Sequence, residues 1–274
     1  MTVAEVRDAV AVGLPGYEIE SVAPIGDGLD NFAYEVNRDL IVRISKDPDP
    51  ERTAHEGRLL DAVAAVAPVP VPSPAFVIPE RGCLAYYKLA GVPLLDRSQR
   101  FRDAHAERVV AALGDLLTAL HTIRPADAEI DDESGEGSIQ ETADLYATVA
   151  AHVPPFFRGR IESFLCTGPP AADYELVFSH NDLGIEHVLV DESGTVTGVI
   201  DWSDAALVDP ACDYGRLYRD LGPPALAVTD PALIDRAVFY ARCAVVEDLA
   251  YGLETGRSRY AEKSLTALEW LFPA

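Results

Sequence analysis

The spacing of apolar residues divides the chain into a β-rich first third and a mostly helical remainder. In the first third, short apolar segments between glycine, proline or charged residues predict strands. These segments are residues 33–36, 40–44, 76–78 and 84–89. From about residue 102, apolar side chains recur every three or four positions, as at Leu113, Leu116 and Leu120, which is the helical period. The pattern therefore predicts an α+β fold of two lobes, residues 1–91 and 92–274.

Helix-start signals refine this division. Capping-box spacings and cap–proline pairs each mark a point at which a helix begins. They are Thr2 with Glu5, Asp49 with Pro50, Ser138 with Glu141, and Asp230 with Pro231. The last pair is expected to open a helix that runs to about residue 254. Residues 155–165 and 258–271 predict further helices, and the acidic segment 125–137 predicts a loop.

The charge balance is strongly acidic. The chain has 22 lysines and arginines against 45 aspartates and glutamates, a net charge of −23. Such a surface repels nucleic acid and anionic membranes, and it attracts cationic ligands. The four cysteines form no CxxC pair, which argues against zinc and disulfides and favours a reducing compartment. No apolar run approaches the roughly 20 residues that span a bilayer. We expect a cytoplasmic protein and a monomer.

One stretch combines buried strands with chemically active side chains. It reads as three short strands over residues 178–202, and it carries Asp182, His187 and Asp201. His187 lies five residues after Asp182, and Asp201 lies nineteen residues after Asp182. This spacing is the layout of a kinase catalytic loop and metal-binding aspartate. In that layout Asp182 orients the attacking hydroxyl, while His187 and Asp201 hold Mg²⁺ on the phosphates. His180 would support the backbone of the loop.

His187 is the unusual member of this set. Kinases carry asparagine there, whose amide oxygen suits Mg²⁺, whereas imidazole prefers softer metals. Two other interpretations stay open: a structural histidine at the start of a strand, or a transition-metal site built from the two histidines and two aspartates.

The first third supplies the parts that a nucleotide needs. Gly26 and Gly28 lie in a predicted hairpin, where glycine lets the backbone approach a phosphate. Arg43 is a cation within an apolar strand, and Glu56 lies on the helix that follows, within reach of it. Such a pair positions nucleotide phosphates in kinases, although a plain surface ion pair has the same pattern. Lys46 lies close enough to compete with Arg43 for the phosphates.

On these residues the chain resembles the aminoglycoside phosphotransferase superfamily, antibiotic kinases that share the protein-kinase fold. The resemblance covers nearly the whole chain. The matching pieces are residues 26–28 through Asn31, Arg43, Glu56, residues 86–94, the loop 180–187, and residues 199–204 through Asp209 and Pro210. Histidine at position 187 is found in two branches, the 2″-aminoglycoside and the macrolide 2′-phosphotransferases.

The resemblance implies a bilobal protein-kinase-like fold and an ATP or GTP donor with Mg²⁺. It implies that Asp182 is the catalytic base, and that His187 and Asp201 are the magnesium ligands. The residues that it places at the nucleotide are Gly26, Gly28, Asn31, Arg43, Glu56, and the hinge residues Tyr87 and Leu89.

The acceptor is expected to be a hydroxyl of an antibiotic, and the acidic charge favours a cationic aminoglycoside. The candidate carboxylates for binding it are Asp213, Asp220, Glu247, Asp248 and Glu254. A macrolide would instead need an apolar groove. Candidates for lining that groove are Leu217, Phe239, Val246 and Leu249. A metabolic kinase of the same fold for choline, homoserine or a sugar, and a pseudokinase-like regulatory protein, stay open as alternatives.

Overall fold

The structure, a computed structural model, describes residues 2–27, 31–126, 128–131, 135–171 and 174–274. Its strands are β1 (Val22–Asp27), β2 (Asn31–Val36), β3 (Leu40–Ser45), β4 (Pro74–Ile78), β5 (Cys83–Tyr87), β6 (Val92–Pro93), β7 (Val177–Ser179), β8 (Val188–Val190), β9 (Val196–Val199) and β10 (Ala206–Val208). Its helices are α1 (Val3–Gly13), α2 (Pro50–Val66), α3 (Gln99–Leu120), α4 (Gly135–Val149), α5 (Pro155–Leu165), α6 (Cys212–Leu221), α7 (Ile234–Thr255) and α8 (Ser258–Leu271).

The first lobe is an antiparallel sheet in the order β1-β2-β3-β5-β4. Side chains alternate across β3, so Val42 and Ile44 join the apolar cluster beneath α1, whereas Arg43 points to the opposite face. Leu59 and Val63 of α2 are buried in the larger core that continues into the second lobe. The alternation therefore places a cation on the face that looks toward α2 and the rest of the chain.

The second lobe is mostly helical. The stripe Leu113, Leu116 and Leu120 of α3 is fully buried, as its period predicts. Helices α6, α7 and α8 pack against one another. Short strands form a three-stranded sheet, β6-β8-β9, and a pair, β10-β7. These strands hold the segments that precede and follow Asp182. The α+β prediction is confirmed, and no helix in the described ranges is long and apolar enough to cross a membrane.

Most predicted helix starts agree with the structure. Thr2 and Glu5 form the capping box of α1, and Asp49 caps α2 with Pro50 in its first turn. The capping box at Ser138 is wrong, because α4 already begins at Gly135 and Ser138 lies inside it. Asp230 caps a short 3₁₀ turn, and α7 begins only after it, at Ile234.

Two boundaries differ from the sequence pattern. The strand predicted to reach residue 89 ends at Tyr87, where the chain leaves the sheet. The loop predicted over 125–137 gives way to α4 at Gly135; its residues 127 and 132–134 lie outside the described part of the chain.

Candidate active site

The loop after β7 is held from beneath by Asp213 of α6. Asp213 Oδ2 accepts hydrogen bonds from Ser179 Oγ at 2.6 Å and from the Asn181 amide at 2.9 Å. Its Oδ1 accepts one from the Leu183 amide at 3.1 Å, and the residue is 1% exposed. Asn181 has a left-handed backbone conformation, with φ of 65°, which this clamp stabilises. Asp213 therefore fixes the loop, which corrects its prediction as a substrate carboxylate.

His180 is fully buried within the same loop. Its Nδ1 accepts a hydrogen bond from the Asp182 amide at 3.3 Å, and its Nε2 lies 3.1 Å from the Ile200 carbonyl oxygen. Burial lowers the pKa of His180, so a neutral ring with its proton on Nε2 satisfies both contacts. The side chain thus ties the loop to the segment after β9, which is the supporting position expected for it.

Asp182 stands between a histidine and an arginine. Its Oδ2 lies 3.1 Å from His187 Nε2, and its Oδ1 lies 3.3 Å from Arg216 Nε. Burial alone would raise the pKa of Asp182, but the hydrogen bond to His187 and the charge of Arg216 outweigh it and lower the pKa. The side chain is still 37% exposed. Asp182 is therefore an accessible carboxylate that stays ionised at neutral pH.

The fold places His187 beside Asp182 and Asp201, as the sequence spacing predicts. His187 lies between the two carboxylates, with its Nδ1 3.8 Å from Asp201 Oδ2. Burial would lower the pKa of His187, but its hydrogen bond to Asp182 and the surrounding carboxylates raise it. Asp201 adopts a left-handed conformation with φ of 64°, and its Oδ1 accepts a hydrogen bond from Ser203. The carboxylate on this strained backbone is half-exposed and lies beside His187.

The donor atoms around Asp201 suit a magnesium ion. Burial, and then the negative charges of Asp182 and Asp201, raise the pKa of the nearby Asp204, so negative charge is concentrated at this point. Within the described residues, no three His, Cys, Asp or Glu side chains could hold a metal unaided. Mg²⁺ does not need such a set, because it takes one or two carboxylates together with phosphates and water.

A cavity of about 540 Å³ separates β3 and α2 from the segment after β9. Asn31, Arg43 and Glu56 line one side of it, and Ser203 and Asp204 line the other. Arg43 Nη1 lies 2.6 Å from Glu56 Oε1, which confirms that the predicted cation–carboxylate pair forms. The cavity therefore has a cation at one wall and carboxylates at the other, as a nucleotide–metal complex requires.

The other residues predicted near the nucleotide lie at the edges of this cavity or beyond it. Lys46 does not line the 540 Å³ cavity, and its Nζ lies 5.0 Å from the centroid of the Phe32 ring. Gly26 lies in β1 opposite Ala33, next to an irregularity in the register. Gly28 lies outside the described residues.

The predicted hinge follows β5. Tyr87 is exposed, and neither it nor Leu89 lines the 540 Å³ cavity. The Lys88 amide donates to the Asp39 carbonyl at 2.7 Å, and the Leu89 side chain packs on Gly198 of β9. Among the described residues, nothing forms a hydrogen bond with the backbone N–H or C=O of Leu89.

A smaller cavity of about 110 Å³ lies on the other side of the loop. Glu247 of α7 and Arg216 of α6 line it, together with Asp131 and Asn181. Burial raises the pKa of Glu247, because the carboxylate has little water around it. Asp131 and Asn181 also line the larger cavity, and Asn181 Nδ2 donates to Asp131 Oδ2 at 2.8 Å. The two cavities therefore adjoin at the residue that precedes Asp182.

Three other predicted substrate carboxylates do not face this cavity. Asp220 is buried and pairs with Arg219 and Lys263. Asp248 turns into the helical core, where its Oδ2 lies 2.7 Å from Lys263 Nζ. Glu254 is exposed near the end of α7 and lines neither of the two cavities described above. The residues proposed for an apolar macrolide groove are buried in the core. They are Leu217, Phe239, Val246 and Leu249.

Arg216 and Asp131 are the site residues that sequence reasoning missed. Arg216 follows Asp213 by three residues, so its place on the loop-facing side of α6 could be read from helical spacing. Asp131 comes from a loop 50 residues before Asn181, and no local pattern connects the two.

Comparison with known families agrees with this geometry. Residues 21–246 match the phosphotransferase enzyme family, APH. The chain belongs to the APH phosphotransferase family. A stretch of 42 residues is 45% identical to the uncharacterized protein YcbJ of Bacillus subtilis (strain 168), and it spans 15% of this chain and 13% of YcbJ. As a member of the APH family, the chain is a phosphotransferase.

Solved structures share the APH fold over nearly the full chain. The GDP complex of aminoglycoside 2′-phosphotransferase-IIIa has a TM-score of 0.70 and 21% identity, covering 98% of both chains. The GDP and kanamycin complex of APH(2″)-IIIa has a TM-score of 0.65 and 21% identity, covering 97% of both. Macrolide 2′-phosphotransferase MphH from Brachybacterium faecium has a TM-score of 0.63 and 24% identity, covering 97% of this chain and 98% of that one. The bilobal kinase-like fold is thereby confirmed.

Proposed function

We propose that this phosphotransferase moves the γ-phosphate of ATP or GTP to a hydroxyl of an aminoglycoside antibiotic. Residues 1–91 bind the nucleotide in this proposal, and residues 92–274 carry the catalytic loop and the acceptor site. The observation that carries the proposal is the meeting of two cavities at Asp131 and Asn181, directly beside Asp182. Asp182 itself lines neither cavity, but its partly exposed carboxylate follows Asn181 directly, so a donor in one cavity and an acceptor in the other would meet beside it.

The larger cavity is assigned to the nucleotide. Arg43 faces it, oriented by Glu56 at 2.6 Å, and a guanidinium can hold phosphate oxygens bidentately. Gly26, Gly28 and Asn31 would cover the phosphates from the β1–β2 side. Tyr87 and Leu89 lie outside this lining, so the purine would extend beyond the cavity to pair with the backbone N–H and C=O of Leu89. Both solved aminoglycoside-kinase neighbours described above were determined with GDP bound, which supports testing GTP as well as ATP.

Magnesium is assigned to Asp201 and His187. Asp201 offers a half-exposed carboxylate, and His187 Nδ1 faces the same side. Mg²⁺ held by these two residues would supply positive charge that offsets the charge of the nucleotide phosphates. Asp182 would accept a hydrogen bond from the attacking hydroxyl and orient its oxygen toward the phosphorus.

The acceptor is assigned to the smaller cavity, because its chemistry suits an ammonium group. Glu247 lines it with little water around its carboxylate, and Asp131 lies at its mouth. An aminoglycoside carries amino groups that would pair with these carboxylates, and a kanamycin complex is known for a structural neighbour. The burial of the residues proposed for a macrolide groove gives no comparable support for a macrolide.

The experiment is an acceptor screen that measures nucleotide-dependent phosphoryl transfer with ATP and with GTP. The panel contains aminoglycosides, macrolides, choline and homoserine, and product NMR identifies the modified hydroxyl. We expect turnover with at least one aminoglycoside. Turnover with a macrolide or a metabolite, and with no aminoglycoside, would contradict the proposed acceptor class.

A pair of variants tests the acceptor cavity itself. Glu247→Gln is expected to raise the KM for the aminoglycoside by about 10- to 100-fold, the equivalent of one charged hydrogen bond. The KM for nucleotide should not change, because Glu247 lies outside the larger cavity. Glu254→Gln on the same helix is the matched control and should leave both KM values unchanged, since this side chain is exposed.

A further inference from the structure

Five charged side chains lie buried together beneath the catalytic loop, outside the two cavities assigned above. They are Glu186 from the loop, Arg219 and Asp220 from α6, Asp248 from α7, and Lys263 from α8. Their side chains are only 2–13% exposed. Burying a charge lowers the stability of the folded protein unless the charge is closely paired. Even a well-paired buried cluster is often no more stabilising than hydrophobic residues of similar volume. The cluster therefore calls for a role other than stability.

Lys263 is the centre of this cluster. Its Nζ lies 3.1 Å from Glu186 Oε2, 3.0 Å from Asp220 Oδ1 and 2.7 Å from Asp248 Oδ2. Arg219 also grips Asp220, through two parallel hydrogen bonds of 2.8 Å. A single ammonium group thus joins three helices to the catalytic loop.

The cluster reaches the loop at two consecutive residues. Asp220 Oδ2 accepts a hydrogen bond from the Ile185 amide at 3.1 Å, and Glu186 contributes its own carboxylate. A Cβ atom at Gly184 would overlap the Glu186 carboxylate, so glycine leaves the space that this side chain needs. The backbone is therefore held immediately before His187.

His187 links this anchoring to the chemistry. The residue follows Glu186 directly, and its Nε2 lies 3.1 Å from Asp182 Oδ2. The His187 amide donates to the Gly184 carbonyl at 3.0 Å, which closes the turn. A shift of residues 185 and 186 would therefore move the imidazole relative to Asp182 and Asp201.

We propose that Lys263 is a positioning residue for phosphoryl transfer, acting through Glu186 and Asp220 on the placement of His187. It contacts no reacting atom. The inference rests on the phosphotransferase activity of the APH family and not on which acceptor is used. Any nucleotide–acceptor pair that the wild-type protein turns over serves for its test.

Lys263→Ala is the first variant. We expect kcat to fall by about 10- to 100-fold, the usual effect of removing a residue that orients a metal ligand. The KM values for nucleotide and acceptor should change little, because Lys263 lines neither cavity. The control is Glu262→Ala, since Glu262 precedes Lys263 on the exposed face of α8. An unchanged kcat in folded Lys263→Ala would overturn the proposal.

Chemical rescue separates positioning from general damage. A cavity of about 260 Å³, lined by Arg102, Trp270 and Asp220, adjoins the cluster at Asp220, and we expect a small amine to enter the truncated site from this side. Propylammonium added to Lys263→Ala should restore kcat several-fold in a saturable way, whereas propanol of the same size should not. Equal effects of the amine and the alcohol would show that only volume was missing.

A charge-balanced double variant separates stability from activity. The wild-type cluster has three carboxylates and two cations, a net charge of −1; Lys263→Met with Asp248→Asn leaves two carboxylates and one cation, again −1. We expect the double variant to regain thermal stability relative to Lys263→Ala while kcat stays low. Recovery of kcat together with stability would refute a positioning role.

Hydrogen exchange of the Ile185 amide gives a readout that needs no acceptor. Exchange should accelerate in Lys263→Ala and in the double variant, because both changes loosen the hydrogen bond between Asp220 and the Ile185 amide. It should not accelerate in Glu262→Ala. If no acceptor is found, the acceptor assignment fails while this comparison still decides the role of Lys263. Unchanged exchange at Ile185 in both variants would contradict it.

Discussion

Replacing Asp213 with asparagine removes one of the two carboxylate oxygens that hold the catalytic loop. Those oxygens accept three hydrogen bonds, from Ser179 Oγ and from the Asn181 and Leu183 amides, at 2.6–3.1 Å. An asparagine can keep the two bonds of one oxygen, but its NH₂ group then faces an N–H donor at the other position. At least one bond is lost, and the remaining ones lose the charge that strengthens them.

The expected magnitude follows from these contacts. A hydrogen bond to a charged group contributes about 1.5–3 kcal/mol, and a neutral one about 0.5–1.5 kcal/mol. We therefore expect Asp213→Asn to lower the free energy of unfolding by about 2–4 kcal/mol. For a chain of this size that corresponds to a decrease in Tm of roughly 5–15 °C. The protein should still fold at 25 °C, since native domains retain about 5–15 kcal/mol.

The kinetic outcome decides between two roles for Asp213. As a loop clamp, it should affect kcat strongly and the acceptor KM little, because it contacts the loop and not the acceptor cavity. As a substrate carboxylate, it would raise KM at an unchanged kcat and leave stability intact. Urea unfolding followed by tryptophan fluorescence and steady-state kinetics measure both. A raised KM with unchanged Tm and kcat would refute the clamp.

Two further predictions concern burial and charge. Burial raises the pKa of Cys83 to about 11 and the pKa of Cys243 to about 12, and it also raises the pKa of Cys212. Ellman's reagent at pH 8 should therefore react only with the exposed Cys166 in the native protein, and with all four thiols in urea. Rapid reaction of more than one thiol in the native protein would contradict this. Burial would raise the pKa of Asp220, but Arg219 and Lys263 lower it below the unfolded value of about 3.9. Its stabilisation is therefore present above about pH 4 and lost as the pH falls further. The difference in unfolding free energy between wild type and Asp220→Asn should be constant from pH 7 to about 4.5 and narrow toward pH 3; an equal difference at pH 3 would count against the reasoning.

The elements that sequence reasoning predicts well are those with local signals. Asp182, His187 and Asp201 lie in the segments that flank the short apolar strands β7, β8 and β9, and the structure brings His187 within contact of both carboxylates. Arg43 and Glu56 meet because strand alternation and a capped helix constrain both positions. In each case the pattern of a few neighbouring residues decides where the side chain points.

The acceptor side is less predictable for a physical reason. Asp213, Glu247 and Asp248 are all carboxylates on amphipathic helices, and sequence does not distinguish a carboxylate that holds a loop from one that faces a cavity. The difference depends on partners far along the chain, such as Ser179 for Asp213 and Lys263 for Asp248. Asp131 reaches Asn181 from a loop 50 residues away, which only the tertiary structure can show.

The rate of phosphoryl transfer in Asp182→Asn tests the central claim most directly. A single-turnover experiment with nucleotide labelled at the γ-phosphate, using an acceptor that the wild type phosphorylates, follows transfer of the label. We expect the rate to fall by about 10²- to 10⁴-fold, the contribution of a positioned base. The Kd for nucleotide should stay unchanged, because Asp182 does not line the larger cavity. A wild-type transfer rate in Asp182→Asn would contradict the assignment of Asp182 as the residue that orients the attacking hydroxyl.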